Sequence, residues 1–130
     1  MKINREFVRK GNERHTTLSW YHEGDLILVT FDYDVSGLYS DKLNKIVVDI
    51  YEEKKIFLYG VAGNCEAEYV IPEMKGYQFR GLNKSNESKT GVSLLYHPFE
   101  DGVGNQWGDT EQYEFFLDAD QKMKMLGIYR

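Results

Sequence analysis

Short apolar and aromatic runs, separated by polar turns, recur along the whole chain. Residues 15–21 lead through His22-Glu23-Gly24-Asp25 into the β-branched and aromatic run 26–31. Gly24 can supply the positive φ that a tight hairpin turn requires. Residues 45–51 and 55–61 flank the charged turn Glu52-Glu53-Lys54, which predicts a second hairpin. Residues 65–71, 77–82 and 92–96 read as three further strands. A third hairpin is predicted from 112–117 and 122–129, around Asp118-Ala119-Asp120-Gln121. Lys122-Met123-Lys124-Met125 alternates with a period of two, which favours a strand over a helix there. Residues 40–44 are expected to form a single helical turn.

Two runs, Leu26-Ile27-Leu28-Val29 and Ile56-Phe57-Leu58-Tyr59, are apolar at every position. Such strands are expected where both faces are covered, inside a sandwich or in a barrel wall. With turn signals at short intervals, the pattern predicts an all-β fold of about eight to nine antiparallel strands joined by hairpins. The two architectures, sandwich and barrel, both fit it. At 130 residues the expectation is one β domain over Met1–Arg130.

Composition strengthens this reading. Aromatic residues make up 15% of the chain, with ten Tyr, and these side chains favour pleated, half-buried surfaces. The single cysteine, Cys65, excludes an intramolecular disulfide and fits a reducing compartment, and it reads as a half-buried strand residue. The first residues, Met1-Lys2-Ile3-Asn4-Arg5-Glu6, hold charges and no apolar run, so no signal peptide is expected. The longest apolar stretch is far too short to span a membrane. A cytoplasmic location is the expectation.

Charge is distributed unevenly around a net of −5. Residues 1–15 carry Lys2, Arg5, Arg9, Lys10 and Arg14 against Glu6 and Glu13. From Thr90 to Gln121 there is no Lys or Arg, while Glu100, Asp101, Asp109, Glu111, Glu114, Asp118 and Asp120 accumulate. An acidic surface of this kind repels a phosphate backbone, so nucleic acid is not the expected partner.

Three constellations could carry chemistry. Asp32, Asp34 and Ser36 followed by Gly37 place oxygen ligands at alternate positions before a bend, and this resembles the start of an EF-hand calcium loop. Leu43 stands where that family places a bidentate acid, and a strand precedes the segment, so no metal site is expected. The pattern reads instead as a polar turn joining two hairpins. Residues 98–109 combine Gly102, Gly104 and Gly108 with Glu100, Asp101 and Asp109 around Trp107, which suits a binding surface. His97, close to Glu100 and Asp101, could form an acid–base pair, although no nucleophile motif accompanies it.

In overall character the chain resembles toxin-immunity and inhibitor proteins: small, acidic, cysteine-poor and rich in aromatics. The expected function is binding of a basic protein partner through Glu100, Asp101, Trp107, Asp109 and Glu114, with no cofactor. On the strand 112–117, Glu114 is expected to point outward while Tyr113, Phe115 and Leu117 turn inward. A small-molecule or carbohydrate binder lined by tyrosines is the first alternative. A hydrolase built on His97 is the second.

Overall fold

A computed structural model describes residues 1–98, 110–115 and 125–128. The chain is all-β and antiparallel, with eleven strands among the described residues. It divides into two compact units, Met1–Ile71 and Pro72–Arg130.

The N-terminal unit holds two sheets. The first has the order β1-β2-β3, from β1 (Asn4–Lys10), β2 (Glu13–His22) and β3 (Asp25–Phe31). The second runs β4-β5-β6-β7, from β4 (Val35–Ser40), β5 (Lys45–Ile50), β6 (Lys55–Gly60) and β7 (Cys65–Val70). Glu23 and Gly24 both have positive φ, so the β2–β3 connection is the two-residue turn that matches strand twist. Leu18, Trp20 and Phe31 of the first sheet share a core with Val35, Ile46, Val48 and Ile50 of the second. The Trp20 indole N–H donates to the Val61 carbonyl at 2.7 Å, which satisfies its buried polar group.

Two strands lie where none was expected. β1 pairs with β2 over seven consecutive residues, yet every β1 residue is exposed. Its charged sequence shows no apolar alternation because the strand is held by backbone pairing at a sheet edge. β4 occupies half of the calcium-like pattern. Gly37 has no positive φ and lies within the strand, where a Cβ would come within 2.9 Å of Leu18 Cδ1. The glycine lets two sheets approach and does not make a bend. Asp34 is ion-paired with Arg5, and the Arg5 guanidinium also donates to the Val35 carbonyl at 2.8 Å. The polar-turn reading therefore holds only for residues before Val35.

The two all-apolar runs differ in fate. In β6, Ile56 and Leu58 are buried, while Phe57 and Tyr59 pack on the core from the other face. In β3, Leu26 and Leu28 are 50% and 61% exposed, because β3 is an edge strand with one open face. The expectation of two covered faces is corrected there. Cys65 is likewise exposed, at the start of edge strand β7. After Ser40 the Asn44 amide donates to the Ser40 carbonyl at 2.8 Å, which closes one helical turn at the expected place. A single 3-10 turn, Tyr51–Glu53, precedes β6.

The C-terminal unit contains a sheet of order β11-β10-β9-β8, from β8 (Tyr77–Lys84), β9 (Val92–Pro98), β10 (Glu111–Glu114) and β11 (Met125–Ile128). β10 and β11 pair antiparallel, as the third predicted hairpin requires, and its predicted turn, Asp118-Ala119-Asp120-Gln121, lies outside the described residues. The β8–β9 register shifts between Phe79 and Gly81, and Gly81 takes a φ of 139° that a side chain would resist. Among the described residues, no helix is long and apolar enough to cross a membrane.

Candidate functional site

Register decides which side chains of the C-terminal sheet share a face. Tyr77 pairs with Pro98, Phe79 with Tyr96, Glu111 with Tyr96, and Tyr113 with Leu94. Tyr77, Phe79, Tyr96, Glu111 and Tyr113 thus lie on one face. Tyr96 is buried, and burial pushes its phenol up to about 12. Its hydroxyl donates to the Pro72 carbonyl. Phe79 and Tyr113 each meet Tyr96 edge-to-face, with centroids at 5.7 and 5.5 Å.

Around this buried ring the face opens, and Tyr77, Phe79, Glu111 and Tyr113 are half-buried. The Tyr77 hydroxyl donates to Glu111 Oε1 at 3.2 Å, and the Tyr113 hydroxyl donates to Glu111 Oε2. The Glu111 charge raises the Tyr77 pKa, with smaller contributions from burial and the hydrogen bond. Tyr113 is raised by burial first and then by its hydrogen bond to Glu111. No cationic side chain pairs with Glu111 among the described residues. The result is a carboxylate flanked by two phenols on an aromatic floor.

Glu114, three residues on, points to the opposite face and is 3% exposed. Its expected outward orientation is corrected by the loop that joins β8 to β9. Ser88 donates its hydroxyl to Oε1, the Lys89 amide donates to Oε2 at 3.1 Å, and Thr90 donates from both amide and hydroxyl to Oε1 at 3.3 Å. These donors solvate the carboxylate inside the protein, which alternation along one strand could not reveal. Glu100, Asp101, Trp107 and Asp109 lie outside the described residues.

His15 and His97 have identifiable neighbours, while His22 meets Glu23 at 3.9 Å. His97 Nδ1 lies 2.9 Å from the Thr110 hydroxyl, and Glu100 and Asp101, its expected partners, lie outside the described residues. His15 sits between Asp32, 3.3 Å from Nδ1, and Glu13, 3.4 Å from Nε2. Asn12, Arg14 and Glu52 complete a shallow polar depression of about 600 Å³ there. The two carboxylates address opposite ring nitrogens, so they do not converge on a common point. Among the described residues, no three His, Cys, Asp or Glu side chains are grouped to hold a metal ion.

Sequence reasoning missed the pairing of Tyr77 and Glu111. One signal was present: extending the 112–117 alternation back by one residue places Glu111 beside Tyr113 on the same face. The contribution of Tyr77, 34 residues away, needed the sheet order. Comparison with protein-family models, curated proteins and solved structures finds no match to this chain, so any functional reading rests on geometry and charge.

Proposed function

We propose that this chain is a binding protein, inhibitor- or immunity-like in kind, that engages a basic protein partner through the acidic, aromatic part of its C-terminal unit. The observation that carries this reading is Glu111, a carboxylate without a cationic partner among the described residues, set between two half-buried tyrosines. It lies in the stretch from Thr90 to Gln121 that contains no Lys or Arg. Negative charge steers a cationic protein, and aromatic rings hold it once docked. Glu114 drops out of the surface because its charge is spent internally. Glu100, Asp101, Trp107 and Asp109 remain the proposed flanking contacts.

The test is capture of basic proteins from the native cell extract at low and high salt. It is repeated with Glu100→Gln, Asp101→Asn and Asp109→Asn combined. The reading expects a basic protein whose retention falls with salt and falls again in the triple variant. Retention unchanged in both comparisons would overturn it.

One observation favours a second reading, a carbohydrate binder. Two phenol hydroxyls, a carboxylate and the half-buried ring of Phe79 are groups that suit a sugar ring and its hydroxyls. That reading expects thermal stabilisation by an oligosaccharide with little dependence on salt.

A further inference from the structure

The cluster at Tyr77, Glu111 and Tyr113 has a hydrogen-bonding polarity that restricts what it can receive. A tyrosine hydroxyl has one hydrogen, and both phenols direct theirs to Glu111, one to each carboxylate oxygen. The lone pairs of both phenol oxygens and those left on the carboxylate are then the polar groups available to a visitor. Among the described residues the cluster is a set of acceptors, and it carries a negative charge. An anion or a carbonyl group meets no phenol hydrogen there, because both are directed to Glu111.

From this geometry we infer that the Tyr77–Glu111–Tyr113 cluster is a receptor for a primary ammonium group, the lysine side chain of the basic partner. The inference rests on the binding reading above and names the chemistry of its anchor. An ammonium has three hydrogens and no acceptor, so it can address a carboxylate oxygen and both phenol oxygens together. A guanidinium prefers a planar, two-oxygen approach to a carboxylate, and here each of those oxygens already accepts a phenol hydrogen. The half-buried rings of Tyr77 and Phe79 lie on the same sheet face as Glu111, and an aromatic ring attracts a cation through its quadrupole. A polyol could donate to the same acceptors, but it would leave the Glu111 charge uncompensated.

The test uses the intact chain and three small probes: N-acetyl-lysine methylamide, its Nε-acetylated form and N-acetyl-arginine methylamide. Binding is followed by NMR shifts of the Tyr77 and Tyr113 ring signals. The lysine probe should shift both rings and saturate. Acetylation, which removes the charge and two donors, should abolish the effect, and the arginine probe should bind more weakly. Tyr77→Phe should weaken the lysine probe about tenfold, the scale of one hydrogen bond. Glu111→Gln should weaken it at least as much, with an unchanged circular dichroism spectrum as the folding control. Equal binding of the lysine and Nε-acetyl-lysine probes by the wild-type chain would overturn the inference without recourse to any variant. So would absence of ring shifts with the lysine probe. If the probes fail while a basic protein is still captured in a manner sensitive to Glu100, Asp101 and Asp109, the ammonium receptor is wrong and the wider surface reading survives.

Discussion

Asp49 in the N-terminal unit and Glu114 in the C-terminal unit are both buried acids, and the protein treats them in opposite ways. Glu114 accepts hydrogen bonds from two hydroxyls and two backbone amides of residues 88–90. Asp49 is 4% exposed on β5, and its Oδ1 has no hydrogen-bond partner among the described residues. Its strand neighbours by register are Ser36 and Ile56, with Val47 beside it on the same face. Burial pushes the Asp49 carboxyl up to about 6. The contrast teaches that burial alone does not decide the cost of a carboxylate. A charge met by donors organises a loop, and a charge without them is held closer to its neutral form.

That comparison can be broken most severely at Glu114. Replacing it with Ala would remove the carboxylate that accepts from the Lys89 amide, and one acceptor each from the Ser88 hydroxyl and the Thr90 amide and hydroxyl. Chemical denaturation should show a loss on the order of 3 kcal/mol or more. A loss below about 0.5 kcal/mol, the level of an ordinary surface change, would mean the loop does not depend on this carboxylate.

Asp49 should behave in the opposite sense. Its folded pKa lies above the unfolded value of 3.8, so the folded state binds more protons between the two. Stability attributable to Asp49 should therefore be highest below about pH 4, fall as pH rises towards 6, and level off above that. Asp49→Asn should stabilise the protein at pH 7 by on the order of 2–3 kcal/mol, and the gain should vanish at pH 4. Denaturation midpoints of the two proteins measured across this range give the answer. A variant less stable than wild type at pH 7 would show that the carboxylate is satisfied after all.

The smallest effect is expected from charges that stay in water. Arg14 pairs with Glu52, and both side chains are close to half exposed, at 40% and 46%. Arg14→Ala should cost under about 1 kcal/mol, and the difference should shrink further in high salt. A larger, salt-insensitive loss would place structural weight on the His15 depression that its exposure does not suggest.

The all-β class and three hairpins were legible because turn chemistry and period-two patterning are local. Glu23-Gly24 announces its turn within two residues. Of the alternating residues 122–125, Met125 opens β11 and the others lie outside the described residues. β1 was not legible, because a charged edge strand is held by pairing with β2 and not by any apolar periodicity. β4 was hidden for a related reason: Gly37 looks like a bend in sequence, but it serves a contact with Leu18 on another sheet. The acids of the last third were visible as a run. Their division into an internal Glu114 and a half-buried Glu111 was not, since the loop at Ser88–Thr90 and the hydroxyl of Tyr77 reach them from distant positions.

That division between two carboxylates on one strand is the centre of the account, and one paired measurement addresses it. Glu111→Gln and Glu114→Gln are each assayed for denaturation midpoint and for affinity towards N-acetyl-lysine methylamide. The account predicts that Glu111→Gln, which keeps one accepting oxygen, costs no more than about 1.5 kcal/mol, the scale of one hydrogen bond, and weakens the lysine probe at least tenfold. Glu114→Gln should lose stability while its remaining folded fraction binds the probe normally. The reverse pattern, with stability lost at Glu111 and binding lost at Glu114, would contradict it.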